Sequence, residues 1–112
     1  ASSVPQELID AVNKYGGKMP GATGVPMESL QKAIELGVTK INVDTDGRLA
    51  ITAAIRKVFA ETPEKFDPRD YLAPAREALK GVIAGKMKAF GTAGHCGEYK
   101  GVSLEEMKKF YK

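Results

Sequence analysis

One cysteine, one histidine, few aromatics and no long apolar run are what this 112-residue sequence offers least of, and each scarcity removes a class of function. Cys96 alone rules out an intrachain disulfide, and with it a reducing, soluble, cytoplasmic setting is expected. No apolar segment approaches the roughly 20 residues that span a bilayer and no signal peptide is visible, so no membrane partner is expected. The adjacent His95 and Cys96 provide two neighbouring ligands where a catalytic zinc needs three; they read as a solvent-exposed tail residue and a reduced free thiol. Aromatic residues make up only 7% of the chain, and none is interleaved with basic residues as a base-stacking platform requires. The formal net charge is +3, from 17 Lys and Arg against 14 Asp and Glu. Because the basic residues are spread along helical stretches beside acidic ones, this is a solvated surface and not a nucleic-acid footprint.

What is present is a core-forming composition, 43% apolar, in a length that suits one domain of ordinary size. The opening Ala1-Ser2-Ser3-Val4-Pro5 lacks a methionine and reads as the middle of a motif, so the expectation is a fragment or a processed product. The densest chemistry lies at Asn42-Val43-Asp44-Thr45-Asp46, where an amide, two carboxylates and a hydroxyl sit between an apolar run and a helical pattern. In Val38–Val43, Thr39, Ile41 and Val43 alternate with Lys40, Asn42 and Asp44, the period of a strand. From Arg48 the period becomes helical, through Leu49, Ile51, Thr52, Ile55, Val58 and Phe59. Polar residues at the carboxyl end of a strand that feeds a helix point to an anion or ligand site, since the first N–H groups of the helix are free to receive one. An ordinary turn with Asp or Thr as the helix cap is the plainer alternative.

The rest of the chain is punctuated as a series of helices. Ser3-Val4-Pro5-Gln6 fits a capping box, followed by a stripe of Val4, Leu8, Ala11, Val12 and Tyr15 and a Gly16-Gly17 exit. Lys18 to Gly24 is a loop, and Pro26 opens a short helix with Leu30, Ala33 and Ile34 inward and Gly37 as its stop. Then come the 38–43 strand and a helix over 48–61. Asp67-Pro68 caps a further helix and Pro74 marks a second start, with an apolar stripe of Ala75, Leu79, Val82, Ile83, Met87 and Phe90 read as a packing or subunit face. A glycine-rich tail over 91–101 precedes a second capping box, Ser103 to Glu106, which starts a terminal helix. Lys40 is expected to face an interior and pair with a buried carboxylate. One strand cannot form a sheet, because its backbone groups need partners on both sides. Either copies of the chain pair their strands or the chain is part of a larger α/β protein.

The stretches Ser2-Ser3-Val4-Pro5-Gln6-Glu7, Tyr15-Gly16-Gly17, Gly24-Val25-Pro26, Gly37 to Asp46 with Arg48-Leu49-Ala50, and Phe90-Gly91-Thr92-Ala93-Gly94 resemble, in order and spacing, the C-terminal portion of class II fructose-1,6-bisphosphate aldolases. The resemblance implies an α/β fold, the last part of a (β/α)8 TIM barrel that takes about 250 residues when whole. Residues 1–62 would be the loop after strand 7, helix 7, strand 8 and helix 8, and residues 63–112 a C-terminal helical extension. It also implies reversible aldol cleavage of fructose 1,6-bisphosphate, a sugar bisphosphate substrate, and a divalent metal, usually zinc, that stabilises the enediolate. It further implies a monovalent cation as an optional assistant, and a homo-oligomer, dimer or tetramer, as in other family members. The metal-binding histidines and the catalytic aspartate would lie outside this segment, in the missing N-terminal part of the barrel, so that the segment alone is expected to be inactive.

Residue by residue, the resemblance makes Ser2 a phosphate-binding serine with Asp44 and Thr45 as its partners on the same phosphate, Asn42 a contact to the dihydroxyacetone oxygens, and Arg48 the reach to the second phosphate. Donor chemistry suits these roles: hydroxyl and N–H groups for a phosphate, a neutral amide for a developing enediolate, a guanidinium fork for a dianion. The Asp44 carboxylate would repel phosphate and is expected to act through its N–H or by holding neighbours. Gly47 and Gly21-Ala22-Thr23 depart from the usual family pattern, which concerns local loop geometry. Tagatose-bisphosphate aldolase is the alternative within the same chemistry. A non-catalytic helical fragment, self-associating through Val38–Val43 and the Ala75–Phe90 stripe, is the alternative of another class.

Overall fold

Five α-helices carry the chain, and a computed structural model describes them over residues 1–111. They are α1 (Gln6–Lys14), α2 (Met27–Glu35), α3 (Thr45–Glu61), α4 (Pro68–Ala89) and α5 (Leu104–Lys108), with a short 3-10 turn at Cys96–Glu98 before the last. α3 is the centre of the arrangement and packs against both α1 and α4. Its last turn meets the end of α1 through the Tyr15 hydroxyl, which donates to Glu61 Oε1 at 2.9 Å. Phe59 near the end of α3 meets Tyr71 near the start of α4 edge to face, with centroids 5.0 Å apart. The opening turn of α3 contacts both the segment preceding α1 and the end of α4. α1 therefore runs alongside α3 in the same direction, and α4 returns antiparallel to it.

Apolar periodicity builds the core where those helices meet. Ile9 and Val12 of α1 are 1% and 2% exposed and pack on Leu49 and Ala53 of α3, with Val4, Leu8, Ala11 and Met19 around them. Ala75 is the buried residue of α4, while Ile83 and Met87 on the same stripe remain 50% and 43% exposed. A folded 12.0 kDa protein is expected to expose about 6000 Å², whereas this chain exposes 8387 Å². Its radius of gyration of 18.7 Å likewise exceeds the about 13 Å of a compact chain of this length. The helices thus leave a large part of their apolar surface uncovered.

Several boundaries differ from the sequence expectations, each for a local reason. No β-strand occurs among the described residues; Val38–Val43 has no regular secondary structure, because no second strand is available to satisfy its backbone. α3 begins at Thr45, three residues before Arg48, so that Asp46 and Gly47 lie in its first turn and are buried. The Ser3-Gln6 capping box does not form: α1 starts after Pro5 without a side-chain cap, and Gln6 instead donates to Asp10 Oδ1 at 2.9 Å. Pro74 does not start a helix but lies inside the continuous 22-residue α4, where it leaves the Asp70 carbonyl without its usual donor. Lys40 is exposed and has no ion pair among the described residues; the lysine that pairs with a buried carboxylate is Lys86. The remaining caps follow the sequence: Asp67 accepts from the Arg69 N–H, and Ser103 and Glu106 form a reciprocal capping box.

Candidate functional site

Three segments distant in sequence come together at the first turn of α3, and Asp46 is what joins them. Its carboxylate is fully buried. Oδ1 accepts the Val4 N–H at 2.8 Å, and Oδ2 accepts the Ser3 N–H and the Ser3 hydroxyl, both at 3.0 Å. Lys86, from the end of α4, brings its ammonium to 2.6 Å from Oδ2 and 2.7 Å from the Ser3 Oγ. Every buried side-chain nitrogen and oxygen among the described residues has a partner. Burial pushes the Asp46 carboxyl up, but the Lys86 ammonium, the two N–H groups and the Ser3 hydroxyl outweigh it, leaving the group below its ordinary value of 3.8.

Backbone geometry makes this grip possible. Val4 has φ +50°, the left-handed region that a β-branched residue normally avoids. In that conformation consecutive N–H groups form a concave cradle for an anion, and those of Ser3 and Val4 converge on one carboxylate. On the other side of the loop, Val25 N–H donates to the Ser2 carbonyl at 3.0 Å. Gly24 lies so close that a Cβ there would fall 2.3 Å from the Ser2 carbonyl oxygen and 2.7 Å from that of Ser3. Only a residue without a side chain allows this approach.

The residues expected to contact substrate are distributed around that joint. Ser2 precedes the gripped pair, and its Oγ accepts the Asp44 N–H at 3.2 Å. Asp44 flanks α3 without capping it, because its carboxylate is turned to Arg48: Oδ1 accepts the Arg48 Nε–H at 3.1 Å and Oδ2 pairs with Nη2. Thr45, the first residue of α3, is exposed. Asn42 has an exposed side chain, and its carbonyl receives the Ala1 amino group. Ser2, Asp44 and Arg48 are thus linked directly, Thr45 adjoins them along the chain, and the Asn42 side chain forms no hydrogen bond among the described residues.

Sequence reasoning placed Asp46 and Gly24 in informative segments but gave neither of them, nor Lys86, a part in the site. The signal for Asp46 was weak but present: an acidic residue in the first turn of a helix is favoured by the helix dipole, whatever else it touches. Nothing local singles out Lys86. Beside the joint, Ile41, Val43, Gly47, Ile51, Leu79 and Val82 contribute to an apolar cleft of about 390 Å³ between α3 and α4. His95 and Cys96 are exposed and make no contact with the Asp46 carboxylate, and His95 Nδ1 is 2.6 Å from Glu98 Oε1. Among the described residues no three His, Cys, Asp or Glu side chains are grouped as a metal would require, and no helix is long and apolar enough to cross a membrane.

Comparison with known proteins finds relatives that match along essentially the whole chain. The chain is 63% identical over its full length to a fructose-bisphosphate aldolase of Giardia intestinalis, of which it covers 35%. It is 48% identical over 99% of its length to a fructose-bisphosphate aldolase of Nostoc commune, covering 31% of that protein. A fructose-bisphosphate aldolase class 2 of a Synechocystis species is 48% identical over 95% of the chain, and 30% of that relative is covered. The chain therefore spans about a third of the length of the curated relatives it matches. With the sequence profile described as fructose-bisphosphate aldolase class-II matching residues 5–95 as well, the chain belongs to that family.

Proposed function

We propose that this chain supplies phosphate and substrate contacts to a carbon–carbon lyase that reversibly cleaves fructose 1,6-bisphosphate into dihydroxyacetone phosphate and glyceraldehyde 3-phosphate. The observation that carries the reading is the junction of Ser2, Asp44 and Arg48 at the start of a 17-residue helix, in a chain of this family. Because the Asp44 carboxylate is occupied by Arg48 and makes no cap bond, the first N–H groups of α3 are left for an outside acceptor. A phosphate there would take hydrogen bonds from these groups and from the Thr45 and Ser2 hydroxyls, with the positive end of the helix dipole beneath it. Asp44 serves by orientation: its N–H holds the Ser2 Oγ and its carboxylate aims the Arg48 fork, which suits a second phosphate. Asn42 presents an uncharged amide to the dihydroxyacetone oxygens, where it can donate to developing negative charge.

In the whole protein, residues 1–62 form the last units of a (β/α)8 barrel and residues 63–112 its helical extension. Val38–Val43 becomes the eighth strand once neighbours supply its missing hydrogen bonds, and part of the uncovered apolar surface packs on the remainder of the barrel and on further subunits. The family chemistry uses a divalent metal, zinc, to stabilise the enediolate. Among the described residues no three His, Cys, Asp or Glu side chains are grouped to hold such an ion, and we assign its ligands and the acid/base group to the remainder. The test is aldol cleavage by the full-length protein with Ser2→Ala, Thr45→Val and Arg48→Ala. Each is expected to raise KM for the bisphosphate by about tenfold or more, the loss of one charge-assisted phosphate contact. Unchanged KM in all three would refute the assignment, as would turnover by the isolated 112-residue chain.

A further inference from the structure

We propose that Lys86 and Asp46 are positioning residues for the phosphate site, through which the last long helix controls the anion affinity of the loop and turn that bind substrate. The inference rests on the reading of Ser2 and Thr45 just given. Asp46 immediately follows Thr45 and holds both N–H groups and the hydroxyl immediately following Ser2 in the chain, so a single carboxylate sets the spacing of the two proposed phosphate ligands. That carboxylate is a poor neighbour for a phosphate unless its charge is matched. Lys86 provides the match: its side chain is 11% exposed, and its ammonium reaches Asp46 Oδ2 and Ser3 Oγ together. No other cation contacts Asp46 among the described residues.

Two effects follow from removing the ammonium. The Ser3-Val4 cradle loses one of the groups that holds the carboxylate in place, and an uncompensated negative charge remains one residue from Thr45. Both act on binding of the phosphate and neither on the bond-breaking step. A purely structural ion pair would instead alter stability and leave phosphate affinity alone.

The test uses the full-length enzyme carrying this segment, with kcat and KM for fructose 1,6-bisphosphate and the inhibition constant of inorganic phosphate as readouts. Lys86→Met keeps the aliphatic stem and removes the charge. It is expected to raise KM and the phosphate inhibition constant together, by about tenfold, with kcat changed less than about twofold. Lys86→Arg restores a cation and should recover both constants to within about threefold. A Lys86→Met enzyme that melts at lower temperature yet binds phosphate as tightly as the parent overturns the proposal. Should Lys86→Met fail to fold, Ser3→Ala decides, since it deletes the hydroxyl that both Asp46 and Lys86 engage. A rise of about threefold in the same two constants is expected, and no change overturns the idea. Ser2→Ala, Thr45→Val and Arg48→Ala separate the two levels: phosphate inhibition unaltered by all three changes would remove the phosphate-site reading itself, whatever Lys86 does.

Discussion

Replacing Asp46 with asparagine preserves the side chain's shape and deletes one charge. The buried carboxylate accepts from the Ser3 N–H, the Val4 N–H, the Ser3 hydroxyl and Lys86. An asparagine has one oxygen to offer these donors, and its NH₂ group must face donors in either orientation. Lys86, only 11% exposed, is then left without its counter-charge. Removing one member of a buried, hydrogen-bonded pair costs about 3–5 kcal/mol, a large share of the roughly 5–15 kcal/mol that holds an ordinary domain together. Adding Lys86→Met to the asparagine variant removes the stranded ammonium, so the double variant should be more stable than the sum of the single losses, with a coupling of about 1–3 kcal/mol. The same carboxylate carries a pH signature. Its folded pKa lies below the ordinary 3.8, so its stabilising contribution is present above that value and is lost as pH falls through the lower folded value. Urea unfolding of the full-length protein at pH 7 and in steps down through the acid range reads both effects, and the gap between parent and Asp46→Asn should begin to narrow below the ordinary carboxylate value and go on narrowing as pH falls toward the folded one. A loss under about 1 kcal/mol at pH 7, or a constant gap between the two proteins across the acid range, would refute the account of this joint.

Gly24→Ala should displace the Ser2–Ser3 backbone, because the atoms a Cβ would strike are main-chain ones that cannot swing aside; a loss of about 1–3 kcal/mol in unfolding and a weaker phosphate inhibition are expected together. Val4→Pro forces φ from +50° to about −65° and removes the N–H that holds Asp46 Oδ1. It should cost more than about 3 kcal/mol, checked by thermal unfolding. Ile9→Ala, at a site 1% exposed between α1 and α3, is expected to cost about 2–5 kcal/mol by the same measurement. Pro74→Ala should act in the opposite direction, stabilising the protein by about 1–3 kcal/mol as α4 regains the bond to the Asp70 carbonyl.

Local signals were legible in this sequence wherever the partner of a residue lies within one helical turn of it. The Asp67 cap, the Ser103–Glu106 box and the left-handed stops at Gly16 and Gly37 all belong to that kind. Ser3 misled because its local pattern is a good cap, yet a buried carboxylate 43 residues away is the stronger acceptor for the same hydroxyl and N–H. Asp46 looked like one more acid in a polar turn because its partners lie before α1 and at the end of α4, beyond any window of periodicity. Pro74 was read as a boundary from its chemistry, but the packing of α4 along α3 carries the helix through it. The alternation in Val38–Val43 shows which side chains would share a face; it cannot supply the neighbours that turn an alternating segment into a strand. Of the residues expected to contact substrate, Ser2, Asp44 and Arg48 are joined in space, whereas the long-range contacts of Asp46 that hold the segments beside them together have no local signature.

The hydrogen bond from Lys86 to Ser3 spans 83 positions. A chain made from its amino end at 5–20 residues per second would wait on the order of ten seconds between the appearance of the serine and the appearance of its lysine. For the second half of that interval, once Asp46 has been made, its carboxylate would have its two N–H donors but no cation, and closing the large loop to bring the ammonium home is among the slower events open to such a chain. A chain wired in this way completes the Asp46 joint only after α4 is made, so a product truncated before α4 would hold the Ser3 and Val4 N–H groups on a buried carboxylate that still lacks its cation.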